Sequence, residues 1–374
     1  MHIAILEHDP AQKSATGVRG RAIKDYLAGQ GHRVEFVSPA KGAAARYNRR
    51  RFSFGARLRR RLSGRKTLPH LWDYLADELE PQIRRGGFDA VIARGQDLAH
   101  VLTRPLDCLK ILDMANILYL EAYYAWGANK LEVEETYEKE VRVWQGVDFI
   151  LSPHQVLTDY FLEHLAKVGD LSAKTRTVRL GCEPPARVAR YAEPPRLVYA
   201  GSYYYIQDPY LLAQLARVSP YPIDCYGPED PNRSFLPAAL SYRGYEAGTG
   251  FLADYQFGLI TVSRDALRQH SPSTKFPYYF AHGLPVLFPE WMKEGYEYEG
   301  CAVPYNEADF VSVLQSLAGE GVWRRMSKAA QAVASRLSWQ QTLQPLGDLL
   351  KQSPRPCGVP PCAAPTEAAP IPQA

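Results

Sequence analysis

Short apolar runs alternate with stretches of helical period along most of this chain. In the first half, residues 2–7, 33–38, 88–93, 108–113, 147–152 and 176–180 read as strands. Helical patterns fit between them at residues 17–30, 71–85, around 132–144 and at 154–167. Strands and helices in strict alternation predict a parallel, doubly wound α/β domain. The pattern then breaks at Gly181-Cys-Glu-Pro-Pro-Ala and again at Glu193-Pro-Pro, where proline density leaves no room for regular structure. It restarts with strands at residues 196–200, 223–226, 257–262 and 284–288 and helices at 211–218, 274–281, 309–317 and 322–337. A last helix is expected at residues 339–350, followed by a Pro- and Ala-rich tail, 353–374, that is expected to be disordered. The fold class that follows is α/β, with two Rossmann-like domains facing each other across a cleft, the first spanning residues 1–182 and the second 183–338. Ligands of such sheets bind at the carboxyl ends of the strands.

Composition narrows the picture without changing it. With 374 residues, 46% hydrophobic and 22% charged, the chain has the make-up of a soluble two-domain protein. No apolar run approaches the roughly 20 residues of a membrane-spanning helix. The opening reads as a strand rather than a secretion signal, which predicts a cytoplasmic protein. The six Cys are scattered except for Cys357 and Cys362, show no zinc-ligand spacing, and read as reduced thiols.

The net charge of +4 is unevenly placed, because between Arg46 and Lys66 there are ten Lys or Arg and no acid. Phe52, Phe54, Leu58 and Leu62 are interleaved among them. This segment is either a solvated basic loop or a surface that rests on anionic lipid headgroups at the inner membrane leaflet. No nucleic-acid motif accompanies it, so no nucleic-acid partner is expected.

The densest chemistry lies in Ser271-Pro-Ser-Thr-Lys-Phe-Pro-Tyr-Tyr-Phe-Ala-His-Gly-Leu-Pro-Val-Leu-Phe288. A polar run with Lys275 leads into a short aromatic helix, a Gly stop and a Pro-started apolar strand. Ser273 and Thr274 at a capped helix start beside a lysine make a seat for a diphosphate, although a surface lysine is the plainer alternative. The order of these residues resembles the donor-site signature of GT-B-fold, family 4-like glycosyltransferases, with Lys275, Tyr279, Ala281, Gly283, Pro285 and Val286 in matching places. The signature's ribose-binding Glu is replaced by Tyr278, and its partner carboxylate eight residues earlier by His270. These two keep hydrogen-bonding capacity but carry no negative charge.

The resemblance extends over most of the chain. Pro195-Arg-Leu-Val-Tyr-Ala-Gly201-Ser202 looks like the first strand and Gly turn of a donor domain. Ile223-Asp-Cys-Tyr226-Gly227-Pro is similar to its second strand, and Ser241-Tyr-Arg-Gly-Tyr245 to the segment that reads the nucleobase. Gly201-Ser202 is a tight turn on either reading, and Gly lets a diphosphate approach the backbone. Arg264 is either a phosphate ligand or solvated, and Tyr203, Tyr204 and Tyr205 serve either stacking or packing. In the first domain Asp113 ends an apolar strand, as a base for the acceptor hydroxyl or as a cap for the next helix. The loop from Gln12 to Gly17 would line the acceptor side, with Lys13, Arg19 and His8 as weaker candidates there.

The resemblance implies a glycosyltransferase of nucleotide sugars (UDP-, GDP- or dTDP-linked) that works without a metal or other cofactor. Its last helix, residues 339–352, would cross back to the first domain. The acceptor would be a hydroxyl, lipid-linked if the basic segment binds membrane. A scaffold protein that has lost its carboxylates, or a nucleotide-sugar epimerase, are the alternatives. No Asp-x-Asp arrangement is present to hold a divalent ion. In the implied reaction the hydroxyl attacks the anomeric carbon while Lys275 and the Ser273–Thr274 amides take up the charge of the leaving diphosphate.

Overall fold

The computed structural model describes residues 1–11, 15–43, 46–47, 71–125, 127–202, 207–228 and 240–352. Lys13, the tyrosines 203–205, the tail 353–374 and all of the basic segment beyond Tyr47 lie outside these residues. The chain divides into two compact units. Met1–Pro153, Thr158–Val178 and the chain from Leu343 onward make the first, and His154–Leu157 with Arg179–Thr342 the second.

The first unit is built on a six-stranded sheet, parallel at every pairing, in the order β2-β1-β3-β4-β5-β6. Its strands are β1 (His2–Leu6), β2 (Arg33–Val37), β3 (Ala90–Arg94), β4 (Leu109–Asp113), β5 (Phe149–Ser152) and β6 (Thr175–Thr177). Parallel strands need helices on both faces, and the centre of this sheet is accordingly sealed, with every residue of β3 buried. The order reverses between β1 and β3, which creates a crevice at their carboxyl ends.

The second unit repeats the design. Its strands are β7 (Leu197–Ala200), β8 (Ile223–Tyr226), β9 (Leu240–Gly244), β10 (Phe257–Leu259), β11 (Val286–Pro289) and β12 (Ala302–Tyr305). They pair in parallel in the order β12-β11-β10-β7-β8-β9, so the reversal falls between β7 and β10.

Helix Lys275–Ala281 is rooted in this sheet by its aromatic residues. Tyr279 is buried, its hydroxyl accepts from the Ala200 amide at 2.9 Å, and its ring lies across Gly258 of β10. A Cβ at Gly258 would meet Tyr279 Cδ2 at 2.3 Å. Gly258→Ala is therefore expected to lower stability by about 1–3 kcal/mol through overpacking. Urea unfolding would read this as a lower midpoint at unchanged slope, and an unmoved midpoint would contradict the packing described.

Three expectations are corrected. The strand expected at residues 257–262 ends at Leu259. The single helix expected at 339–350 is two pieces, Trp339–Thr342 in the second unit and Gln344–Gln352 in the first. Pro345 lacks an N–H and fits only a first turn, so a new helix has to begin there. Strands β9 and β12 were not anticipated. In β12, Pro304 breaks the apolar run, but the strand lies at the sheet edge, where proline is tolerated.

Candidate functional site

The second unit carries its polar chemistry at the β7–β10 reversal. Lys275 opens its helix beneath the Gly turn that follows β7. Its ammonium donates to Gln207 Oε1 at 2.5 Å and stands 5.4 Å from the centre of the Tyr199 ring. A Cβ at Gly201 would come within 2.9 Å of Lys275 Cε, so glycine there is what admits the lysine. Burial, and next the positive charge of Arg268, lower the Lys275 ammonium to about 8. A cavity of about 110 Å³ opens here, with Gln207, Arg268, Ser271, Ser273, Thr274 and Lys275 as its polar walls. Among the described residues, two cations and no carboxylate line it. Its size suits a phosphate group rather than a whole nucleotide sugar.

The loop before the helix is held differently from the expectation. Thr274 makes no side-chain cap, and the Ser273 hydroxyl accepts the Lys275 amide at 3.3 Å. The Ser273 amide is already used, donating to Glu294 Oε2 at 2.6 Å. It is thus engaged by the protein's own buried carboxylate, and the Ser273 side of the cavity is a wall rather than a ready donor. Glu294 Oε1 in turn accepts from the Tyr298 hydroxyl at 3.2 Å.

The remaining expected donor residues fall around this core. Ser202 O accepts from the Tyr199 hydroxyl at 2.6 Å, which fixes the turn after Gly201. The Gly227 amide donates to Gly244 O at 3.0 Å, bringing the ends of β8 and β9 together. Tyr226 stacks on Phe251 with ring centres 4.0 Å apart, while Tyr245 is exposed. Arg264 lies over the Trp291 ring at 5.2 Å rather than lining the cavity. His270 Nδ1–H donates to Ala266 O at 2.7 Å and its Nε2 accepts from Lys293 Nζ at 2.6 Å. Tyr278 is half-buried on its helix. Arg268 and Gln207 were not singled out from the sequence. The run Arg264-Asp-Ala-Leu-Arg268, a capped turn carrying a second arginine, was the available signal for the first.

In the first unit Asp113 does stand at the carboxyl end of β4, but its carboxylate is consumed. Arg19 Nε reaches its two oxygens at 3.1 and 3.0 Å and Nη2 reaches Oδ1 at 2.7 Å. Arg94 Nε donates to Oδ2 at 3.0 Å and Arg94 Nη1 to Glu7 Oε2 at 2.8 Å. Burial alone would raise Asp113, but Arg19 and Arg94 hold it below the usual carboxylate range. A carboxylate so paired is a poor proton acceptor, which corrects its expected role as base. Arg19 is likewise buried, donating also to Val178 O at 3.0 Å, and Gly17 is buried in helix Ala15–Gly29. Among the described residues no cluster of three or more His, Cys, Asp or Glu is arranged to hold a metal ion.

No family model matches the chain, and no curated protein does. Solved structures do. Sucrose-phosphate synthase from Thermosynechococcus elongatus superposes with a TM-score of 0.72 at 12% identity, over 94% of this chain and 98% of that one. The E. coli trehalose-6-phosphate structure bound with UDP-2-fluoro glucose gives 0.64 at 13% identity, over 94% and 99%. S. aureus TarM in complex with fondaparinux, alpha-GlcNAc-glycerol and UDP gives 0.57 at 12%, over 78% and 61%. At this identity the likeness is one of fold: two Rossmann-like units, each on a six-stranded parallel sheet, the architecture called GT-B.

Proposed function

We propose that this protein is a glycosyltransferase that moves a sugar from a nucleotide-sugar donor to a hydroxyl acceptor. The observation that carries the reading is the carboxylate-free cavity holding Lys275 and Arg268 at the strand-order reversal of the second unit. A half-buried ammonium beside a guanidinium, with no acid among the described lining residues, has an anion as its natural complement. Lys275 and Arg268 would meet the diphosphate, Gly201 and Ser202 would let it approach, and the charge of the leaving group would be met without a metal. Tyr226, Gly227 and Tyr245 fall on the nucleobase side, Tyr278 at the ribose and His270 at the sugar. Because two of the similar structures carry UDP or a UDP-sugar, a uridine nucleotide is the first donor to test. The sugar is a hexosyl or deoxyhexosyl group. A lipid-linked acceptor, with the protein cytoplasmic and peripheral to a membrane, draws its support only from the basic sequence between Arg46 and Lys66.

A thermal-shift panel of UDP, GDP, dTDP and CMP tests the reading. One nucleoside diphosphate is expected to stabilise the protein, by about 2.7 kcal/mol at a hundred times its Kd. If no nucleotide moves the transition, the donor site does not exist.

A further inference from the structure

Beside the cavity that holds Lys275 and Arg268, residues 270–273 and 292–294 of the second unit are joined by two hydrogen bonds. Glu294 turns inward, its Oε2 accepting the Ser273 amide at 2.6 Å, while the exposed Lys293 gives its ammonium to His270 Nε2 at 2.6 Å. His270 Nδ1–H is spent on Ala266 O at 2.7 Å, so the imidazole is neutral here and Nε2 is its acceptor. An ammonium has three N–H groups, and among the described residues Lys293 makes no other hydrogen bond and no ion pair. Each member of the pair is one residue from a wall of the cavity, Ser271 and Met292.

The neighbouring carboxylates are engaged elsewhere. Asp265 accepts the Ser263 hydroxyl at 2.5 Å and the Arg268 amide at 2.9 Å. Glu290 accepts from Asn306 Nδ2 at 3.3 Å, and Glu297 is paired with Arg179 at 2.7 Å. The diphosphate of a nucleotide sugar carries one negative charge on each phosphate, and Lys275 and Arg268 match them. Lys293 is a further positive charge at the rim, and among the described residues no side-chain anion answers it.

We infer that the donor is a nucleotide-linked hexuronate, and that Lys293, oriented by His270, binds the carboxylate of its sugar. This rests on the glycosyl-transfer reading and deepens it, because the transferred hexosyl group is then one oxidised at C6. A plain hexose offers an ammonium only neutral hydroxyls, whereas a carboxylate brings a negative charge and several lone pairs to the two remaining N–H groups. His270 is a positioning residue. A carboxylate in its place would pair with Lys293 and cancel the charge, while the neutral imidazole holds the lysine and leaves the charge unspent.

The test is calorimetry on the full chain with matched donors built on the diphosphate that the thermal-shift panel selects. The pairs are UDP-glucose and UDP-glucuronate, dTDP-glucose and dTDP-glucuronate, or GDP-mannose and GDP-mannuronate. Wild type should bind the hexuronate about five- to fiftyfold more tightly, a range set by one charge-assisted contact only partly dried by the sugar that covers it. Lys293→Gln should bring the ratio of the two Kd values close to one. Lys293→Arg should keep most of the preference, and Lys293→Glu should reverse it. His270→Ala should shrink the ratio less than Lys293→Gln does, since it loosens the ammonium without removing it, and an unchanged ratio there overturns the role of His270. Equal binding of the two sugars by wild type overturns the inference, and so does a preference that survives in Lys293→Gln. In both cases the nucleoside diphosphate still binds, so the glycosyl-transfer reading stands. Failure of every nucleoside diphosphate to bind refutes that reading instead, and the inference falls with it.

Discussion

Lys275→Ala will raise the Kd for a nucleoside diphosphate by ten- to a hundredfold while leaving the unliganded protein as stable as before. A charge-assisted contact of this kind contributes about 1.5–3 kcal/mol, which sets the range. The fold should tolerate the change because the lysine's aliphatic stem only faces Gly201, while the aromatic residues of the same helix hold it in the sheet. The affinity should also depend on pH in a definite direction. The ammonium is the binding form, and burial has lowered it to about 8 in the free protein. Affinity is therefore full below that value and falls as pH rises through it, by up to about tenfold per pH unit, and binding near pH 8 takes up a proton. Calorimetry in two buffers of different ionisation enthalpy measures both effects. An unchanged Kd in Lys275→Ala, or a wild-type Kd flat across this window, would remove Lys275 from the site.

The largest effect on stability is expected in the first unit, from Arg94→Ala. Arg94 is the cation shared by Glu7 and Asp113, all three buried, at 2.8 and 3.0 Å. Its removal leaves Glu7 without that partner in a dry site, a change that costs about 3–5 kcal/mol in comparable buried pairs. Urea unfolding of the variant should show that loss, and Glu7→Gln added to it should restore part of it by removing the stranded charge. A loss below about 1 kcal/mol would mean that water reaches the network. Asp113 adds a pH signature in the wild type. Its folded pKa is depressed, so its contribution is present above the ordinary carboxylate pKa of about 4 and is lost as pH falls through the folded value.

Much of this architecture is legible in the sequence because parallel strands buried on both faces leave unbroken apolar runs. β1, β3, β7 and β11 announce themselves in this way. The failures have local causes. Ala302-Val-Pro-Tyr305 is an edge strand interrupted by proline, and Pro345 restarts a helix that periodicity alone would have carried through. For the site, the sequence places Lys275 because a cation after polar residues at a helix start is a local pattern. It cannot show that Glu294, twenty-one residues later, has taken the Ser273 amide, or that Arg19 and Arg94 converge on Asp113 from helix and strand.

The division of the chain has a consequence for how the protein is made. Unit two is nearly continuous in sequence: Arg179–Thr342 supplies its whole sheet, and only His154–Leu157 comes from elsewhere. Unit one is not, because helix Gln344–Gln352 belongs to it and its Gly347 packs so closely on Tyr26 that a Cβ there would meet the Tyr26 hydroxyl at 2.6 Å. On a ribosome that delivers roughly 5–20 residues per second, the amino-terminal sheet emerges first, yet its unit must wait for the helix Gln344–Gln352 to be complete. The unit that is begun first is finished last, and a nascent chain halted before Leu343 carries a complete second unit and an incomplete first.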